Sequence, residues 1–586
     1  MFKIKVKVLY LITLISLLIL PSVSIDHGYN YPTLNTLNTL NAIGTEAGLT
    51  CNECKKIFDV IKVFDKTETG HHIIQDLAKT ICIKKNGFGN CKQFCDDLCE
   101  GIISEYAPVV WSLSKLTDGE HFCTFLQFCQ DNTTDLTLTP EKPLTNFTFS
   151  KQSFMNMMTS YSKAFTEYFT IKDNNEKYFL HLTDLHVDYQ YHINTSVNCG
   201  LPQCCRLNYN KTLDGQPNIM SQTFGNIGCD TPNATWTSLL NEVKSVHKEV
   251  NFSFVLITGD IPPHDVWNQS HLGNLETIRN VLSDLEETFP ETPIYYIFGN
   301  HDNYPINLCT TNSSVQTSYN ALDYFRNIST LGWFKWLSDE AKESFLMTGQ
   351  YRTIVNGTDL LLVALNSNLF TSGNIWLSLE NNYQIGNVSF FLENSFNKYP
   401  NNSIYIINHI PFYANEFLPN VIDAYNLIAN QNRIKGIFEG HQHSDNFHLM
   451  YDYNGLPSQI SYIPPALVAG QANPSFRYYS ANPDSWDLMD YYQYRMNLTK
   501  SNEDNEIEWF LAYQAKEMFT LKDLSATSWY DFVRTLDNDE TYEKYLIDVF
   551  HGGLNISENK KEIVCSLLTN RVDLTRWCIH NSSFFQ

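Results

Sequence analysis

Between Tyr178 and Asp445 short apolar runs recur, and nearly every one stops at a residue able to bind a metal. The runs are KYFLHLTD, FSFVLITGD, PIYYIFGNH, LLLVALNSN, SIYIINHI and IKGIFEGH. Each is short, continuously apolar and halted by Gly, Pro, Asn or Asp, which is the pattern of a buried strand. Amphipathic stretches such as TWTSLLNEVKSVHKEV and NLETIRNVLSDLEETF separate them, so the alternation predicts a layered α/β sheet with helices outside. In such sheets ligands bind beyond the carboxyl ends of the strands, where these runs break.

The breaks read TDLH (Asp184, His186), TGD (Asp260), GNHD (Asn300, His301), NH (His409) and GHQH (His441, His443). Side chains along a strand repeat every two residues, so Asp184 and His186 are expected on one face, as are His441 and His443. A mixed oxygen and nitrogen donor set suits divalent transition metals such as zinc and is a poor match for calcium. A carboxylate such as Asp260 can bridge two metals about 3.5–4 Å apart. Pro262 and Pro263 fix two φ angles in the loop that presents His264. His264, with His301, is the expected proton donor, because imidazole holds and releases a proton at mildly acid pH.

The chain ends and charge restrict the setting. Lys3, Lys5 and Lys7 precede an apolar run from Val8 to Leu20 and a small-residue stretch at Ser22 to Ser24, the pattern of a signal peptide over 1–24. Later segments are too short to cross a bilayer. Sequons beginning at Asn132, Asn146, Asn194, Asn210, Asn233, Asn268, Asn312, Asn356, Asn387, Asn497, Asn555 and Asn581 fit an exported glycoprotein, secreted or lysosomal. A net charge of −23 argues against nucleic acid as a partner, since phosphate backbones need a basic surface.

Length alone suggests several domains, and the cysteines divide the chain more sharply. Eight of the fifteen lie between Cys51 and Cys129, four between Cys199 and Cys229, and two at Cys565 and Cys578, leaving Cys309 as the expected free thiol. In TCNECKKIFDVIKVF, Ile57, Val60, Ile61 and Phe64 have helical spacing, and HHIIQDLAKTIC and CEGIISEYAPVVWSLSKL supply further helices. With Cys123-x5-Cys129 at its far end, this region (47–133) resembles the saposin B-type domain. The resemblance implies Cys51–Cys129 and Cys54–Cys123 bridges, a middle bridge from Cys82 to Cys91, Cys95 or Cys99, and an apolar face for lipid. Residues 134–175, with Pro140 and Pro143, read as a linker.

The strand-end motifs resemble those of the calcineurin-like metallophosphoesterases. That resemblance implies one metal on Asp184, His186, Asp260 and His443 and a second on Asp260, Asn300, His409 and His441, with His301 near the leaving group. TGDIPPHDVW, TDLHVDYQY, CGLPQCCR and NPSFRYY are similar to the acid sphingomyelinase family. The expectation is an α+β multidomain chain: a small all-α saposin-like domain, a layered α/β catalytic domain (176–475) and a partly helical C-terminal region (476–586). The resemblance further implies two Zn2+ ions, sphingomyelin in membranes or lipid particles as substrate, and contact with the membrane surface through the saposin domain. It also implies Cys199–Cys204 and Cys205–Cys229 bridges and a closing Cys565, Cys578 pair, while one family disulfide is absent because LNSNLF and NHIPFY lack cysteine. Phe476, Tyr478 and Tyr479 offer aromatic faces for a quaternary ammonium. The alternative substrate class is nucleotides or other soluble phosphodiesters.

Overall fold

The computed structural model describes residues 51–64, 94–125, 176–310, 321–371, 373–379, 388–412, 421–550 and 560–569, with isolated residues between these spans. The expected signal peptide, the expected linker, and Cys82, Cys91 and Cys129 lie outside the described residues.

Two six-stranded mixed sheets form the centre of the chain. The first contains β1 (Lys177–Leu182), β4 (Phe252–Ile257), β5 (Ile294–Tyr296), β12 (Ser475–Ala481), β13 (Leu488–Met496) and β14 (Trp509–Gln514), in the order β14-β13-β12-β1-β4-β5. The second contains β6 (Tyr351–Ile354), β7 (Leu361–Ala364), β8 (Ile404–Ile407), β9 (Ile434–Phe438), β10 (Asn446–Tyr451) and β11 (Pro457–Ile463), in the order β10-β11-β9-β8-β7-β6. A short parallel pair joins β2 (Val187–Asp188) to β3 (Thr231–Pro232). All six expected strands are present. Within the sheets β1, β4 and β5 run parallel, as do β7, β8 and β9.

Aromatic rings fill the space between the sheets. Phe179 of β1 stacks on Phe254 and Tyr479 at 4.8 and 5.1 Å, and meets Tyr405 and Phe438 of the second sheet at 5.4 and 5.3 Å. The expectation that Phe476, Tyr478 and Tyr479 offer open aromatic faces is corrected here. All three are buried, with Phe476 stacked on Tyr494 and Tyr478 on Tyr492. Their rings serve the core because β12 lies inside its sheet, between β1 and β13.

The N-terminal helical region comprises α1 (Cys51–Phe64), α2 (Cys95–Leu116) and α3 (Gly119–Phe125). Ile57, Phe58 and Ile61 of α1 are buried, Phe58 stacks on Phe122 at 4.8 Å, and a Cys54–Cys123 disulfide ties α1 to α3. Cys51, Cys95 and Cys99 are also disulfide-bonded. The helix α4 (Asn233–Val250) buries Trp236, Leu239, Val243 and Val246, one stripe at helical spacing. Trp236 Nε1 donates to Asp284 Oδ2 at 2.8 Å in α5 (His271–Thr288), whose first turn is capped by Ser270.

The boundary expected at 475/476 does not separate two bodies, because β12 pairs antiparallel with β1 and carries β13 and β14 into the first sheet. Helices follow at Ala526–Thr535, Asp539–Tyr545 and Lys560–Leu568, and a Cys565–Cys578 disulfide closes the region. Cys199–Cys204 and Cys205–Cys229 are bridged, and Cys309 is free and buried. The centrality of Phe179 gives a direct check. Phe179→Ala is expected to cost about 3–5 kcal/mol, read as a lowered midpoint of thermal unfolding; an unchanged midpoint would refute the proposed core.

Candidate metal centre

Parallel strands end at the same edge, and here the edge gathers residues from both sheets. Asp184 and His186 follow β1, Asp260 follows β4, and Asn300, His301 and Asp302 follow β5. From the second sheet His409 follows β8, and His441 and His443 follow β9.

The local backbone departs from the strand geometry expected from the sequence. β1 ends at Leu182, and Asp184 and His186 lie beyond it with φ of 49° and 40°. Asp260, His441 and His443 are also left-handed, at 58°, 72° and 60°. Alternation along a strand therefore does not align these pairs; left-handed turns re-aim each side chain. Such conformations cost of order 1–3 kcal/mol per residue outside glycine and persist where surrounding bonds hold them. His441 N donates to both Asp184 carboxylate oxygens at 3.0 Å, and His301 N donates to Asp260 Oδ1 at 2.7 Å. Close backbone approach completes the frame: a Cβ on Gly259 would stand 2.1 Å from Gly299 N, and one on Gly299 2.1 Å from Asp260 Oδ1.

Two donor clusters result, and they share Asp260. In one, a donor atom from each of Asp184, His186, Asp260 and His443 lies within 4.8 Å of the others. His443 Nε2 stands 3.2 Å from Asp184 Oδ1, and His186 Nε2 is 3.3 Å from His443 Nε2 and 3.6 Å from Asp260 Oδ2. In the other, Asp260, His409 and His441 converge, with His409 Nε2 at 3.2 Å from Asp260 Oδ2 and 3.0 Å from Asn300 Oδ1.

The imidazole tautomers are set from behind. The Nδ1 atoms of His186 and His409 face the carbonyls of Pro262 and Thr258 at 2.8 and 2.6 Å, so each Nδ1 carries the proton and each Nε2 lone pair faces the cluster. Lone pairs and carboxylates packed this closely repel unless a cation lies among them, and the oxygen and nitrogen set fits a divalent transition metal. Burial would raise Asp260, but His409, His301 and His186 outweigh it and hold its carboxyl well below the ordinary range. Burial opposes protonation of His409, yet Asp260 lifts it to about 9.

The two remaining histidines differ. Burial pushes His301 down to about 3, against the pull of Asp260, and its Nδ1 is buried without a partner. His264 is raised: burial opposes, but Asp230 overrides it. Asp230 accepts from both the His264 backbone N–H and its Nδ1, each at 2.6 Å. The His264 ring stacks on His186 at 3.7 Å and meets His301 edge-on at 4.5 Å.

Sequence reasoning assigned no role to Asp230, although it directly follows Cys229 in the bridged cluster. That cluster also carries Arg206, which is bidentate to Asp188 at 2.8 Å and bonds Asp265. Asp302, the last letter of GNHD, accepts from the backbone N–H groups of Gly299, Asp260 and Ile261 at 2.6, 2.9 and 2.9 Å. On the other side, buried Arg477 and Tyr513 both bond Asp445, two residues past His443.

Residues 177–445 match the calcineurin-like phosphoesterase family, and residues 460–573 match the acid sphingomyelin phosphodiesterase C-terminal region. Sphingomyelin phosphodiesterase 1 of Caenorhabditis elegans is 26% identical over 551 residues, covering 90% of this chain and 92% of that protein. Sphingomyelin phosphodiesterase A of Dictyostelium discoideum is 25% identical, covering 85% and 84%. The cyclic GMP-AMP phosphodiesterase SMPDL3A of Rattus norvegicus is 28% identical, covering 63% of this chain and 83% of its own. A calcineurin-like phosphoesterase domain with clusters able to coordinate divalent metal, continued by that C-terminal region, gives this chain the architecture of the sphingomyelin phosphodiesterase family and makes it a metal-dependent hydrolase.

Proposed function

We propose that the chain is a sphingomyelin phosphodiesterase that hydrolyses sphingomyelin to ceramide and phosphocholine. The observation that carries the reaction class is the pair of donor clusters joined through Asp260. Asp184, His186, Asp260 and His443 would hold one zinc, and Asp260, Asn300, His409 and His441 the other. Zinc bound there supplies Lewis acidity towards phosphoryl oxygens and lowers the pKa of water. The helical N-terminal region favours a bilayer lipid as substrate. An alignment over 90% of this chain includes part of that region, whereas the alignment to the cyclic dinucleotide enzyme covers 63%. Nucleotide hydrolysis is the second reading, favoured by that relative's name.

The residues around the metals then divide the work. An alkoxide leaves poorly, so the leaving oxygen needs a proton as the bond to phosphorus breaks. His264 is held by Asp230 with Nδ1 engaged, which leaves Nε2 to carry that proton. His301, anchored through its backbone to Asp260, binds a phosphoryl oxygen beside it.

The saposin-type reading of residues 47–133 gives a membrane contact, and the signal peptide places the enzyme in a secreted or lysosomal space. The sequon residues Asn194, Asn210, Asn233, Asn268 and Asn356 are exposed and accessible to glycan, while Asn497 is half-buried and caps a helix.

Purified enzyme with sphingomyelin liposomes at about pH 5 is expected to release phosphocholine, to stop when a chelator is added, and to recover with zinc. Hydrolysis of a cyclic dinucleotide with no phosphocholine release would move the substrate to nucleotides and leave the metal centre standing. His264→Ala is expected to keep its metal content and lower kcat on sphingomyelin by about 10²-fold or more; metal loss in that variant would contradict the role given to His264. Asp230→Asn is expected to lower kcat by about 10–100-fold on sphingomyelin and to leave a p-nitrophenyl phosphodiester nearly unaffected, because p-nitrophenolate departs without a proton. Equal losses on both substrates would remove Asp230 from proton donation.

A further inference from the structure

Glu105 lies in the middle of α2 and is 5% exposed, an unusual burial for a glutamate with no cation beside it. Its neighbours show what covers it. Gly101, one turn earlier, lies so close to the catalytic domain that a Cβ there would stand 1.9 Å from Trp267 O. Tyr106 OH donates to Ile306 O at 3.1 Å. The α2 helix is therefore seated on the loop that runs from His264 to Trp267 and on the segment around Ile306.

Across this seam the group acting on Glu105 is another carboxyl, Asp265, itself 3% exposed. Glu105 Oε1 and Asp265 Oδ1 are both buried without a hydrogen-bond partner. Asp265 Oδ2 is bound by Arg206, whose guanidinium is also engaged by Asp188, and Asp230 adds negative charge to Asp265. The Ile306 segment faces Glu105 with a backbone hydrogen bond. Burial first, and the charge of Asp265 second, push the Glu105 carboxyl well above its usual range, with Ile306 opposing.

A buried carboxylate with no counter-ion carries a large desolvation cost, whereas a carboxylic acid does not and adds an O–H donor. The seam contains acceptors in need of such a donor. We propose that Glu105 is a proton-operated latch between the helical N-terminal region and the catalytic domain, closed when its carboxyl is protonated and loosened when it is ionised. The docked state binds the proton more tightly than the undocked state. Docking is thus strongest below the ordinary glutamate range and weakens as pH rises through it towards the raised docked value. The latch acts on the backbone next to His264, and its existence does not depend on the substrate assigned above.

The test is hydrogen exchange on the full-length protein at pH 5 and pH 7.5, corrected for intrinsic exchange chemistry, following residues 95–116 and 264–267. In the wild-type protein protection of both segments is expected to fall by about tenfold or more at the higher pH, the equivalent of one pKa unit or more. Glu105→Gln keeps the shape and a donor without the charge, and is expected to stay protected at both values. Glu105→Met serves as a second charge-free variant and is expected to show the same flat response. The proposal is overturned by a wild-type protein whose protection does not change with pH, or by charge-free variants that lose protection as the wild type does.

Discussion

The shared carboxylate of Asp260 is the constraint around which the site is built. It must reach the His186 side and the His409 side together, and those histidines come from different sheets. That demand fixes the distance between the sheet ends and excludes any side chain from Gly259 and Gly299, where the β4 and β5 loops touch. Asp302 serves the same demand by collecting three backbone N–H groups from the two loops, so that their spacing is set by charge-assisted hydrogen bonds. Asp260 is acceptable in the interior because imidazoles surround it, and those imidazoles stay oriented because carbonyls behind them fix their protons.

Rigid support for this centre comes from regions far away in the chain. The bridged segment from Cys199 to Cys229 delivers Arg206 and Asp230 to the His264 loop, so disulfides that touch no ligand restrict where the proposed proton donor can sit. On the opposite side, Arg477 bonds Asp445 and lies 3.9 Å over the ring of Tyr491, with Tyr513 on the other carboxylate oxygen. The C-terminal region thereby anchors the loop carrying His441 and His443. A buried guanidinium is tolerable here because a carboxylate and an aromatic face replace its water.

The ligand residues were legible in the sequence because each stands where an apolar strand run breaks, a local signal that survives without knowledge of the fold. The cysteine clusters were legible for the same reason, and Cys199, Cys204, Cys205 and Cys229 pair within their own neighbourhood. The left-handed turns at Asp184, His186, His441 and His443 were not, since they depend on bonds between loops hundreds of residues apart, such as His441 N to Asp184. The partnership of Asp230 with His264 was hidden likewise. Phe476, Tyr478 and Tyr479 read equally well as a binding face or a core, and only strand order decides between them. Glu105 read as an ordinary polar position on an amphipathic helix until the surface covering it was known.

The pairing of β12 with β1 has a consequence for biogenesis. When β1 through β5 leave the ribosome, the edge of β1 that will receive β12 has no partner, and the partner is nearly three hundred residues away. An unpaired apolar edge is a template for association with other chains, so the nascent protein is exposed to aggregation until its last third has been synthesised. The support of His441 and His443 by Arg477 and Tyr513 is completed at the same late moment. Any chain that stops before β12 would therefore be left with an open sheet and an unsupported metal loop together, which makes loss of this enzyme through premature termination an all-or-none event.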